Sequence, residues 1–161
     1  MADETSALAK EIRQRRPFRS LGQEAVLGLM RTTDLVRRGI SRVLEPFDVT
    51  PQQYNVLRIL RGAGEEGLPT LEIGDRMVEQ APGITRLLDR LEAKGLVTRK
   101  RCPEDRRQVL CWLTPAGRDL VERLDDPVDQ ADATALDMLT DEEKRELIRL
   151  LDQVRTSLRQ G

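Results

Sequence analysis

Between Arg86 and Arg107 the chain carries eight basic side chains (Arg86, Arg90, Lys94, Arg99, Lys100, Arg101, Arg106, Arg107) against four acidic ones (Asp89, Glu92, Glu104, Asp105). Guanidinium groups offer planar pairs of donors that match phosphate oxygens and the paired acceptors of a guanine edge. A polyanion is therefore the partner that this segment suits. From Asp119 to Glu146 the balance reverses, with eleven acids against three bases. Such separation would steer the basic end toward nucleic acid. On charge alone, two solvated helical faces account for the pattern equally well, so the elements carrying the charges must decide.

Other chemistry finds little support. The chain contains no histidine, which removes His-based triads and histidine metal sites, and no Gly-rich phosphate loop precedes a helix. Asp125, Asp126, Asp129 and Asp132 fall at helical spacing without clustered partners and read as a solvated face. The expectation is a protein that is not an enzyme and has no metal and no cofactor. Cys102 and Cys111 leave a thiol-based redox regulator as an alternative. Small, partly buried residues are the plainer reading. If Asp105 and Arg106 centre the intervening turn, Cys102 faces Val109 and Lys100 faces Cys111, which argues against an intrachain disulfide.

The whole chain has 161 residues, 39% hydrophobic, 34% charged and 2% aromatic. Aliphatic side chains between charged helical faces predict a mostly α fold large enough for its own core. No signal peptide is recognisable, and no run approaches the roughly 20 apolar residues of a membrane span. A soluble, cytoplasmic protein with no membrane partner is expected.

Residues 1–20 lack an apolar stripe and read as a basic, partly ordered arm, with five bases and one acid from Lys10 to Arg19. Val26, Leu29, Thr33, Val36, Ile40, Val43 and Phe47 recur in threes and fours, predicting a first helix over roughly Leu21 to Leu44 within a segment 21–49. Pro46 and Asp48 end it. Thr50, Pro51 and Gln53 form an N-cap, first-turn proline and capping box, opening a helix to about Arg61 with Tyr54, Val56, Leu57, Ile59 and Leu60 inward. Gly62, Gly64 and Gly67 mark a loop. Thr70 should cap a short helix carrying Leu71, Ile73 and Met77. Pro82 suits the first position of the next helix, whose stripe is Ile84, Leu87, Leu88 and Leu91 and whose stop is Gly95. Alternation over Leu96 to Arg101 and Val109 to Leu113 predicts a β-hairpin. Thr114 and Pro115 open a helix with a kink at Pro127, and Thr140 with Glu143 forms another capping box. The last helix repeats Leu147, Leu151, Val154 and Leu158, a seam that needs a partner.

Helix, turn, helix and hairpin are the order of a winged helix–turn–helix over 50–114, with 115–161 as helices for dimerisation together with 21–49. In that arrangement the second helix enters the major groove and the hairpin reaches the minor groove. Pro82 and Gly83 allow close backbone approach, Thr85 meets a phosphate or thymine methyl, and Arg86 reads guanine. Arg90, Lys94 and Arg99 suit phosphates. At the hairpin tip Asp105 is placed to orient Arg107, the minor-groove probe, with Arg106 as a second cation and Arg101 beneath. The plainer readings are intrahelical ion pairs and a stiffened turn. A winged helix used for protein interaction is a further alternative.

The run from Ile84 to Val97, followed by Asp105-Arg106-Arg107 and Leu113-Thr114-Pro115-Ala116-Gly117, resembles the MarR family of bacterial regulators. Thr50-Pro51-Gln52-Gln53 and Val56 to Leu60 are similar to its second helix. The resemblance implies an obligate homodimer on double-stranded DNA at a pseudo-palindromic operator. It also implies repression relieved by a small-molecule effector, often aromatic or anionic. Effector contacts would then come from Met30, Asp34 and Arg37 on the first helix and Tyr54 on the second, although Asp34 and Arg37 could equally pair on the helix surface.

Overall fold

The computed structural model describes residues 6–160, which divide into two compact units that part between Gly39 and Ile40. In the first unit, α1 (Ala7–Glu11) is capped by Ser6, whose hydroxyl accepts from the Ala9 N–H at 3.2 Å. The expected arm therefore contains a helical turn, while its first five positions lie outside the described residues. Arg31 Nε reaches Glu11 at 2.7 Å, joining α1 to α2 (Leu21–Leu44). A 3-10 turn, Glu45–Phe47, ends α2, and Asp48 follows in the left-handed region at φ 54°.

In the second unit the expected capping box at Thr50 and Gln53 is present, with both reciprocal bonds, and starts α3 (Pro51–Ala63). Gln53, Tyr54, Val56, Leu57 and Leu60 are buried, and Ile59 is half-buried. Fully buried Leu44, Leu57, Leu60, Ile73, Leu88, Leu91, Val97, Cys111, Val121 and Leu124 belong to one core, to which the last helix contributes nothing. Truncating one of these leucines to Ala costs about 2–5 kcal/mol.

The sheet has three strands rather than the expected two. β1 (Leu68–Pro69), β2 (Val97–Arg101) and β3 (Val109–Leu113) run antiparallel in the order β1-β3-β2. Gly67, at φ 69°, makes β1 possible, because a Cβ there would collide with the Trp112 ring. Trp112 Nε1 in turn donates to the Glu65 carbonyl at 3.0 Å. Two-residue pairing across forty positions has no local pattern to announce it.

Thr70 opens α4 (Thr70–Arg76) but does not cap it. Its hydroxyl donates instead to the Val109 carbonyl at 3.3 Å, tying α4 to β3. Ile73 and Met77 are buried as expected, whereas Leu71 is 80% exposed, since three apolar residues cannot share one face at their spacing. α5 (Ile84–Ala93) follows a turn whose Val78 N–H donates to Asn55 Oδ1 of α3 at 2.8 Å.

Thr114 caps α6 (Pro115–Ala135) by accepting from the Gly117 N–H at 3.0 Å, and the helix runs on past Pro127 without ending. Gly117 permits close packing, because a Cβ there would strike the Leu96 carbonyl. Arg61 of α3 grips Asp125 of α6 through both carboxylate oxygens, at 2.9 and 2.7 Å. Thr140 and Glu143 form the expected capping box of α7 (Asp141–Gln160), which has no buried residue. Among the described residues no helix is long and apolar enough to cross a membrane.

Candidate nucleic-acid interface

The N-terminus of α5 departs from expectation. Pro82 lies outside the helix, and Gly83, at φ 93°, is the N-cap, with no side-chain acceptor for the first N–H groups. A left-handed cap is open to glycine at no steric cost, so the chain turns at Gly83 rather than at the proline. Leu88 and Leu91 are fully buried and Ile84 and Leu87 half-buried, which leaves Thr85, Arg86, Asp89 and Arg90 exposed. At the other end Gly95 N–H bonds the Glu92 carbonyl at 2.9 Å and Leu96 N–H the Leu91 carbonyl at 3.0 Å. With Gly95 at φ 71° this is a Schellman stop.

Two cations expected to meet phosphates are ion-paired to carboxylates of neighbouring elements. Arg99 on β2 places one nitrogen 2.6 Å from Asp89 and 2.6 Å from Glu92, both on α5, and its side chain is only 19% exposed. The Glu92 hydrogen bond, and then that of Asp89, hold its guanidinium pKa above the ordinary arginine value against the opposing effect of burial. Arg99 thus clips the wing to α5. Asp89 is thereby paired across elements, with Arg99 of β2, rather than within its own helix. Lys94 likewise places its ammonium 2.9 Å from Asp48 Oδ2 and donates to the Asp48 carbonyl.

At the hairpin tip Asp105 does not bond the Arg107 side chain. Its Oδ1 accepts from the Arg107 backbone N–H at 3.0 Å, while its carbonyl accepts from the Gln108 N–H at 2.9 Å. Asp105 therefore shapes the turn and leaves the Arg107 guanidinium to project freely. This closure shifts the ladder by one residue from the expected register: Arg99 faces Cys111, Lys100 faces Leu110 and Arg101 faces Val109. Cys102 falls beyond the ladder, its N–H bonded to the Gln108 carbonyl at 2.9 Å.

Arg86, Arg90, Lys100, Arg101, Arg106 and Arg107 are exposed, and none has an ion-pair partner among the described residues. Both thiols are free. Cys111 is buried, and burial pushes its thiol pKa up, only partly offset by the Thr70 hydroxyl 3.7 Å away. That disfavours a reactive thiolate at Cys111.

The candidate effector residues belong to separate units. Met30 is 64% exposed, and Asp34 is engaged by Arg38 at 3.0 Å and Arg31 at 3.9 Å. Arg37 is exposed. Tyr54 is buried with the Arg58 guanidinium 5.9 Å from its ring centroid, and burial raises its hydroxyl pKa.

The sequence reading missed Asn55, Asp48 and Trp112. Each acts through a partner far along the chain, and the one local hint was a lone amide, Asn55, inside the apolar run of α3.

A helix pair whose second member is backed by a three-stranded sheet with a basic hairpin tip is a winged helix–turn–helix. The MarR family model matches residues 49–109. A MarR transcription factor from Planctomyces limnophilus is 46% identical, with TM-score 0.66, over 85% of this chain and 99% of that one. A variant of MarR from E. coli complexed with operator DNA is 28% identical, with TM-score 0.73, over 92% and 99% of the two chains. The transcriptional regulator TtmR of Methylorubrum extorquens is 42% identical over 88 residues, 55% of this chain and 44% of that protein, so the match spans less than half of that relative. The chain belongs to the MarR family.

Proposed function

We propose that the chain is a sequence-specific transcriptional regulator that binds double-stranded DNA as a homodimer at a pseudo-palindromic operator, acting as a repressor that a small-molecule effector releases. The observation that carries this reading is the division of cations: Arg99 and Lys94 are spent on holding α5, while Arg86, Arg90, Lys100, Arg101, Arg106 and Arg107 face outward from α5 and the hairpin. In this reading Arg86 and Thr85 reach base edges near the Gly83 cap, Arg90 and Arg101 meet phosphates, and Arg106 and Arg107 enter the minor groove.

The homodimer follows from apolar surface. On α7, Leu150, Val154 and Leu158 are exposed at steps of four, and on α2 so are the neighbouring Val26, Leu29 and Met30. Exposed stripes of this kind mark association surfaces. Two α5 helices about 34 Å apart would then read successive major grooves. The proposed setting is the cytoplasm, where such DNA lies, and the proposed activity is binding rather than catalysis.

Fluorescence anisotropy with the duplex upstream of the protein's own gene tests the reading. Tight binding that falls steeply with salt, and is lost in the Arg86→Ala, Arg107→Ala double variant, supports it. Undiminished affinity in that variant overturns the assignment.

A further inference from the structure

The Lys94–Asp48 contact lies at the far end of α5 from the base-reading residues and joins that end to the exit of α2. Asp48 is held in a fixed geometry. Its N–H bonds the Glu45 carbonyl at 3.0 Å across the 3-10 turn, and its left-handed backbone, φ 54° and ψ 42°, lets its carbonyl and its carboxylate reach one ammonium. Lys94 is equally constrained, as the C-cap of α5 whose own N–H bonds the Arg90 carbonyl at 3.1 Å, immediately before the Schellman glycine. Its side chain is 30% exposed, while the Asp48 carboxylate is 92% exposed. The lysine therefore lies along the protein surface toward Asp48 instead of extending into solvent as a phosphate contact would.

We infer that Lys94 is a positioning residue: through Asp48 it registers the last turn of the recognition helix against the α2–α3 junction, and it makes no phosphate contact. Together with the Arg99 clip to Asp89 and Glu92, it gives α5 one ionic anchor to the wing and one to the junction. Movement at the exit of α2 is then passed to α5 through a defined pair. The inference rests on the DNA-binding reading for its effect on affinity, but the contact itself is testable without DNA.

The charges make the two roles separable. A phosphate-contacting lysine loses about one unit of salt slope when neutralised. Removing a carboxylate beside a DNA-facing lysine should also tighten binding. A positioning pair predicts the opposite: Lys94→Met and Asp48→Asn each weaken operator affinity by about threefold to fivefold, as fits an exposed pair. The double variant should be no weaker than either single one. The salt slope should stay at the wild-type value in all three, and Lys94→Arg should restore affinity. Asparagine tolerates the left-handed region, so Asp48→Asn removes the carboxylate without disturbing the backbone.

In the free protein, amide exchange at Gly95 and Leu96 should quicken in Lys94→Met and in Asp48→Asn. A wild-type protein that binds no duplex would sink the proposed function, and the exchange measurement would still decide the clip. Tighter binding by Asp48→Asn, a shallower slope in Lys94→Met, or unchanged exchange in both would overturn the positioning role.

Discussion

Of the eight cations between Arg86 and Arg107, two are engaged by carboxylates on neighbouring elements, and this gives individual residues different tasks. Arg86, in the first turn of α5 and without an ion-pair partner among the described residues, is the proposed base reader. Arg86→Ala should cost about 1–3 kcal/mol on the operator and relax sequence preference at one position of each half-site. Competition between operator and scrambled duplex measures this, and equal losses on both would deny it a reading role. Cys102 and Cys111 also separate at this scale. In the native protein one thiol should react promptly with a disulfide reagent and Cys111 only on unfolding. Because burial raises the folded pKa of Cys111 above its unfolded value, the stability it contributes is complete below the ordinary thiol value, about 8.5, and is lost as pH rises past it. Alkaline unfolding curves of wild type and Cys111→Ala should therefore diverge above that pH, with the wild type losing more stability.

The helices are set by local chemistry, and this part of the fold was legible in advance. Thr50 with Gln53, Thr114 with Pro115, and Thr140 with Glu143 announce their caps within four residues, and each operates. What could not be read depends on distant partners. Thr70 has cap chemistry, but its hydroxyl finds Val109 across the sheet. Arg99 has the composition of a phosphate contact and the position of a clip, and only the placement of β2 beside α5 distinguishes the two. The hairpin was visible but its register was not, because an Asp105 turn and an Asp105–Arg106 turn differ by one residue and no local rule selects between them. Among the closest packings between elements is that of α6 on the loop joining α5 to β2. Gly117→Ala should destabilise the fold by about 1–3 kcal/mol by pushing against the Leu96 carbonyl. Urea unfolding at one fixed protein concentration reports it, and an unchanged midpoint would mean the loop yields freely.

For the molecule as a whole, α7 is informative because none of its twenty residues is buried, even though it carries Leu147, Ile148, Leu150, Leu151, Val154 and Leu158. A second copy of the chain is the proposed cover. Placing charge there with Val154→Glu and Leu158→Glu should convert a dimer to monomer in sedimentation and remove the concentration dependence of Tm. A wild-type protein that sediments as a monomer would contradict the dimer. The same variant should lose operator affinity far more than affinity for a single half-site, because two recognition helices then no longer bind as one unit.

The most direct measurement is the salt dependence of operator affinity in wild type, Arg90→Ala and Arg99→Ala. For wild type, log affinity should fall linearly with log salt, at a slope of about −0.9 for each phosphate neutralised. Arg90→Ala should flatten that slope by about one unit per protomer. Arg99→Ala should weaken binding while leaving the slope at the wild-type value, since its charge is already held by Asp89 and Glu92. A wild-type affinity indifferent to salt, or a slope that falls as much for Arg99→Ala as for Arg90→Ala, would contradict the division between cations that face the DNA and cations that hold the helix.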